Sequence, residues 1–215
     1  MRDTYHDHLD AVVNDLFEMS RLVARAVAQA TSALVNADVS VAEQVVSGDE
    51  AVNTLYRGVE QQAYDLMARQ QPVAGDLRVL VTSLRIVVDL ERAGDYAVHL
   101  AKIARRRYPA SAVPNDLRDT FLSMGRTAEE IVRKAGDVIA SRDVDLAAEL
   151  EGDDDTMDDL QRQLFTEVLQ GGANDLEAAI DATLAGRYYE RLADHAVAVG
   201  RRVTYMVTGE HADVT

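Results

Sequence analysis

The chain has 215 residues with 37 Asp and Glu against 22 Lys and Arg, a formal net charge of −15, which argues against non-specific attachment to nucleic acid or anionic lipid, since both demand local positive charge. Cys is absent, so disulfides and thiolate ligands are excluded and any metal must be held by oxygen or imidazole. Ala and Val dominate a 47% hydrophobic share, Trp is absent and only three Pro occur, a usage that favours long helices in one or two compact domains.

The opening Met1-Arg2-Asp3-Thr4-Tyr5-His6 is charged and lacks the apolar stretch of a secretory signal. No apolar run approaches the roughly 18 residues of a membrane span. A cytoplasmic protein with no membrane span is the expectation. Helical periodicity runs through nearly the whole chain and is broken at Asn36 to Ser40, Gln70 to Gly75, Tyr108 to Asn115, Ser141 to Asp143 and Gly171-Gly172. The breaks predict six long helices near 6–36, 40–69, 75–107, 115–140, 143–170 and 173–208. Pro109 and Pro114 bracket the one segment expected to act as a hinge.

The second predicted helix carries Asp49 and Asn53, oxygen donors at i and i+4. On the third, Leu77, Leu84, Glu91 and Val98 are seven apart and project to nearly one side, so Glu91 interrupts an apolar stripe. Arg78, Arg85, Asp89 and Arg92 fall on another arc, the expected solvated face. Asp95 stands four residues after Glu91, stacked above it.

The fifth helix repeats the pattern of the second with Asp154 and Asp158, and the sixth repeats that of the third with Glu190 and Asp194. Asp89-Leu90-Glu91-Arg92-Ala93-Gly94-Asp95-Tyr96-Ala97-Val98 recurs as Tyr188-Tyr189-Glu190-Arg191-Leu192-Ala193-Asp194-His195-Ala196-Val197, ninety-nine positions later. Asp76-Leu77 and Asp175-Leu176 keep the same offset, while Asp49 and Asp154 are 105 apart because the second half has a shorter connection at Gly171-Gly172. The reading is an all-α protein of two tandem antiparallel three-helix bundles, residues 1–108 and 115–215, produced by internal duplication.

A single Glu-x-x-x-Asp on a helix is usually a solvated face. Repetition in register and in phase with the apolar stripe argues for a site, because a carboxylate at an apolar edge is costly unless paired or coordinated. Glu91, Asp95, Asp49 and Asn53 in one half, and Glu190, Asp194, Asp154 and Asp158 in the other, are therefore the candidate metal ligands. Oxygen-only ligation suits Mg, Mn or Fe, and Zn also stays open. Arg92 and Arg191 are assigned as surface or inter-helix partners. His99, four residues after Asp95, is a candidate addition to the first site or a surface histidine; its counterpart is Ala198. His195 is read as structural, and His6, His8 and His211 as exposed near the ends. No Glu-x-x-His pair of di-iron bundles occurs, nor a phosphate-binding or dinucleotide-binding glycine loop, nor a Gly-x-Ser-x-Gly elbow. Three readings stay open on the residues alone: a non-enzymatic metal-binding regulator, a carboxylate-bridged metalloenzyme, and a metal-free helical scaffold.

Arg69-Gln70-Gln71-Pro72-Val73-Ala74-Gly75-Asp76-Leu77-Arg78, together with Glu91-Arg92-Ala93-Gly94-Asp95 and Glu190-Arg191-Leu192-Ala193-Asp194, resembles the PhoU family of phosphate-signalling regulators, and the resemblance runs almost end to end. It implies a cytoplasmic, non-enzymatic adaptor, often a homodimer, that couples the ATPase of the phosphate ABC importer to a sensor histidine kinase and represses the phosphate-starvation response. It also implies metal clusters at Glu91, Asp95, Glu190 and Asp194. The chain departs from the family pattern at His99 and Ala198, where Asn is common, and at Ala193, where Gly is usual.

Overall fold

The structure, a computed structural model, describes residues 2–172 and 176–210. Six long helices are present: α1 (Arg2–Asn36), α2 (Val39–Gln70), α3 (Ala74–Arg107), α4 (Arg118–Ser141), α5 (Val144–Glu167) and α6 (Leu176–Thr208), with no strand among the described residues. The breakers act where the sequence places them. Ala37 takes φ 53° to close α1, and Asp38 then caps α2 by accepting from the Val41 N–H at 3.0 Å. Asp143 caps α5 through the N–H groups of Asp145 and Leu146. α4 begins later than the pattern predicts because Asn115–Leu117 forms a single 3-10 turn first. α5 leaves through a widened turn, Val168–Gly172, in which Gly171 adopts φ 94°, a conformation open to glycine. The predicted start of the sixth helix, residues 173–175, lies outside the described residues, and so does Asp175 of the repeat.

α1, α2 and α3 pack on one another, as do α4, α5 and α6, and the two sets are joined along α1 against α4 and α3 against α6. One hydrophobic cluster runs through both sets, from Leu16, Val23 and Leu34 to Met124, Ile131 and Tyr189. Small residues set the closest approach between sets: Gly125 lies against Thr31, and Gly136 against Ser20. The Tyr189 hydroxyl, fully buried, shares a 2.8 Å hydrogen bond with Thr31 and satisfies its one polar atom. Lys134 ties α4 to Asp153 of α5 at 2.7 Å, and Arg201 of α6 grips Glu151 through two bonds of 2.6 and 2.7 Å.

In the connection between the sets, Tyr108 to Ser111 are exposed, whereas Ala112 and Val113 are buried and Ser111 accepts from the Val113 N–H while donating to its carbonyl. Among the described residues no helix is long and apolar enough to cross a membrane.

Candidate metal centre

The first acidic cluster lies where α2 runs antiparallel to α3. Val52 is the side chain facing Gly94, so the helices approach closely just beside Asp49 and Asp95. Asn53 donates to Asp49 at 2.8 Å, fixing that carboxylate. Glu91 is 24% exposed, and Arg92 bridges it to Asp95 at 3.7 and 3.6 Å. Burial raises the Glu91 carboxyl above its ordinary value, the Asp95 charge raises it further, Arg92 opposes, and Asp49 adds to the rise. Asp49 is raised by burial first and then by Asp95, with the Asn53 bond working the other way. The fold therefore brings all four predicted residues of this half into one electrostatic unit, beside a cavity of about 260 Å³ whose wall includes Asp49, Gly48, Gln44 and Arg25.

The second cluster repeats this between α5 and α6. Asp154 is pushed up to about 6 by burial and then by Asp194, Asp158 and Glu151, against Arg201. Glu190, 13% exposed, is raised by burial and by Asp194, while Arg187 and Arg191 oppose and Asp158 adds. One Glu190 oxygen is paired with Arg187; its Oε2 and the Oδ1 of Asp154 are buried with no hydrogen-bond partner. Such orphaned acceptors are expensive. Burial raises both carboxyls, and a hard cation with oxygen ligands would offset the cost of keeping them ionised there. Among the described residues no three His, Asp or Glu side chains are gathered tightly enough to hold a metal ion in this arrangement. Arg92, Arg187 and Arg191 instead lean onto the acids.

Three other residues need placing. Asp89, expected on the solvated arc, is 5% exposed; it accepts from Arg202 of α6 and pairs with His195 Nδ1 at 3.1 Å. The third helix has no open flank there, because α6 covers it. His195 is structural, as its side of the helix suggests, and stacks on Tyr96. His99 does not join the first cluster: it is exposed and stacks on Tyr188 at 5.1 Å between ring centroids. Asp181, absent from the sequence reading, is 1% exposed and paired with Arg106 and Arg107 of α3. Its only sequence signal is an acid on the apolar side of α6 between Ala178 and Ala185. His6 and His8 are exposed; His211 lies outside the described residues.

The model of the PhoU domain family matches residues 16–104 and again 121–203. Over 210 residues the chain is 45% identical to phosphate-specific transport system accessory protein PhoU homolog 2 of Mycobacterium tuberculosis, covering 97% of this chain and 99% of the relative. PhoU homolog 1 of Mycobacterium leprae is 42% identical, with 97% and 95% covered. The crystal structure of PhoU from Pseudomonas aeruginosa superposes with a TM-score of 0.89 at 30% identity, covering 96% of this chain and all of that one. The phosphate transport system regulatory protein PhoU from Streptococcus pneumoniae, at 21% identity and TM-score 0.87, shares the fold.

Proposed function

This chain belongs to the PhoU family, and from that premise we propose that it is a non-enzymatic accessory regulator of phosphate-specific transport that lowers phosphate uptake and the phosphate-starvation response when phosphate is plentiful. The observation that carries this reading is 45% identity, over nearly the whole length of both chains, to a protein named as an accessory of that transport system. In this reading it acts in the cytoplasm, as a homodimer, on the ATPase of the phosphate importer and on a sensor histidine kinase. Its two sets of three helices are two domains, 1–108 and 115–215.

The acidic clusters hold metal ions: Glu91, Asp95, Asp49 and Asn53 in the first, Glu190, Asp194, Asp154 and Asp158 in the second. A bound ion supplies positive charge where carboxylates now oppose one another. Arg92, Arg187 and Arg191, which lean on the acids, already supply part of that charge.

A strain lacking the gene, carrying a reporter on a phosphate-starvation promoter, tests the function. The reporter should fire in abundant phosphate and be silenced again by the wild-type gene. Normal reporter control and normal phosphate uptake in the deletion strain would remove the proposal.

A further inference from the structure

The cavity beside Asp49 has a counterpart in the second half, and the two have diverged in chemistry. The turns that end α1 and α4 fix the correspondence: Ala37 and Arg142 both take positive φ, and Asp38 and Asp143 both cap the next helix, 105 positions apart like Asp49 and Asp154. By that offset Gln29, Gln44 and Gly48, which line the first cavity, answer to Lys134, Glu149 and Asp153. In the second half these three lock together, with the Lys134 amine 3.2 Å from Glu149 and 2.7 Å from Asp153. The first half has neither the lysine nor the two acids. Gly48 leaves open space where Asp153 stands, since a Cβ built on it meets nothing within 4 Å.

The cations around the cavity have changed in the same direction. Arg25, on the wall of the first cavity, stands where the second half has Glu130. Lys102 lies one turn beyond the lining residue Val98 and ninety-nine positions before Arg201; its charge reaches Asp49 as that of Arg201 reaches Asp154. Arg201 is held by Glu151 through two bonds, whereas the residue equivalent to Glu151 in the first half is Val46. Neither Arg25 nor Lys102 makes a hydrogen bond or an ion pair among the described residues. Asp49, with Asn53 bonded to its Oδ2 at 2.8 Å, is the one acid on the cavity wall among the described residues.

We infer that this cavity binds a single hydrogen phosphate ion, Arg25 and Lys102 supplying charge, the Gln29 and Gln44 amides donating, and Asp49 accepting the proton that the ion carries. Guanidinium and ammonium groups are strong donors to phosphate oxygens. An ionised carboxylate can only accept, so it repels sulfate, which carries no proton at neutral pH, and is satisfied by an oxyanion that keeps a hydroxyl. The net charge of −15 opposes an anion at long range, but screening over about 8 Å at physiological salt leaves the nearby cations in control. The second half offers no such place, because Lys134 is already held by two carboxylates and Glu130 replaces the arginine. Phosphate as the anion rests on the accessory role proposed above; the difference between the halves does not.

Isothermal titration of the purified chain with potassium phosphate, and separately with potassium sulfate, tests the site in the wild type, R25A, K102A and the triple variant Q29K/Q44E/G48D, which transplants the lock of the second half. The expected result is one phosphate per chain, affinity weakened about tenfold or more by R25A and by K102A, none left in the triple variant, and no binding of sulfate. Melting temperature without phosphate should stay unchanged in R25A and K102A, because both side chains are exposed, so these two decide the matter even where the triple variant melts early. Two phosphates per chain, sulfate bound as tightly as phosphate, or an affinity indifferent to R25A and K102A overturns the site. Binding that a chelator abolishes and that R25A and K102A leave intact assigns the anion to metal at the acidic clusters and also overturns it. No phosphate binding by the wild-type chain overturns the site alone, because the regulatory role is read independently by the reporter strain.

Discussion

Asp181 and Asp89 sit nearly out of water at opposite ends of the α3–α6 seam, each held by arginine from the other helix. Removing one partner of such a pair strands the other. Asp181→Ala leaves Arg107, 15% exposed, with Glu177 still at 2.7 Å, so it should cost about 1–3 kcal/mol, seen as a melting temperature lower by about 2–12 °C for a chain of this size. The acids of the candidate metal centre behave in the opposite sense. Asp154 titrates near 6 in the folded chain against an ordinary value of 3.8, so the folded state binds the proton more tightly. The associated stability is complete below pH 3.8 and is lost as pH rises through 6. Chelator-treated protein should therefore melt higher at pH 5 than at pH 7, and Asp154→Asn should shrink that difference. An unchanged difference in the variant would show that Asp154 is not the group responsible. Asp89 escapes a reading of spacing because its arc on α3 is covered by a helix more than a hundred residues away, whereas Glu91 and Glu190 are legible because the chain states them twice.

Helices are the level at which the sequence is most informative, since caps and breakers act over a few residues. Asp38 and Asp143 cap where a polar residue precedes an apolar repeat. The contacts between helices are a different matter. Gly125 and Gly58 look alike as glycines inside helical segments, but a Cβ at Gly125 would lie 2.3 to 2.9 Å from Thr31 while one at Gly58 meets nothing within 4 Å. Gly125→Ala should separate α4 from α1 and cost about 1–3 kcal/mol. Gly58→Ala should stabilise by about 0.5–1 kcal/mol, as a helix-interior glycine replaced without a clash. Denaturant titration of the two variants side by side checks both signs.

At the scale of the whole molecule, duplication explains why the parts come in pairs: two sets of three helices and two acidic clusters. The seam between halves, where Tyr96 and His99 stack on His195 and Tyr188, departs from the repeat, because there each half meets the other instead of solvent. The central claim is that each acidic cluster gathers a cation. Metal content after loading with ferric or divalent ions and desalting tests it most directly, comparing the wild-type chain with Glu91→Ala/Asp95→Ala, with Glu190→Ala/Asp194→Ala, and with all four changes. The expected result is loss of about half the metal in each double variant and all of it in the quadruple, in line with the dependence of such sites on charged oxygen ligands. Equal metal content in all four proteins, or none in the wild type, would contradict the claim.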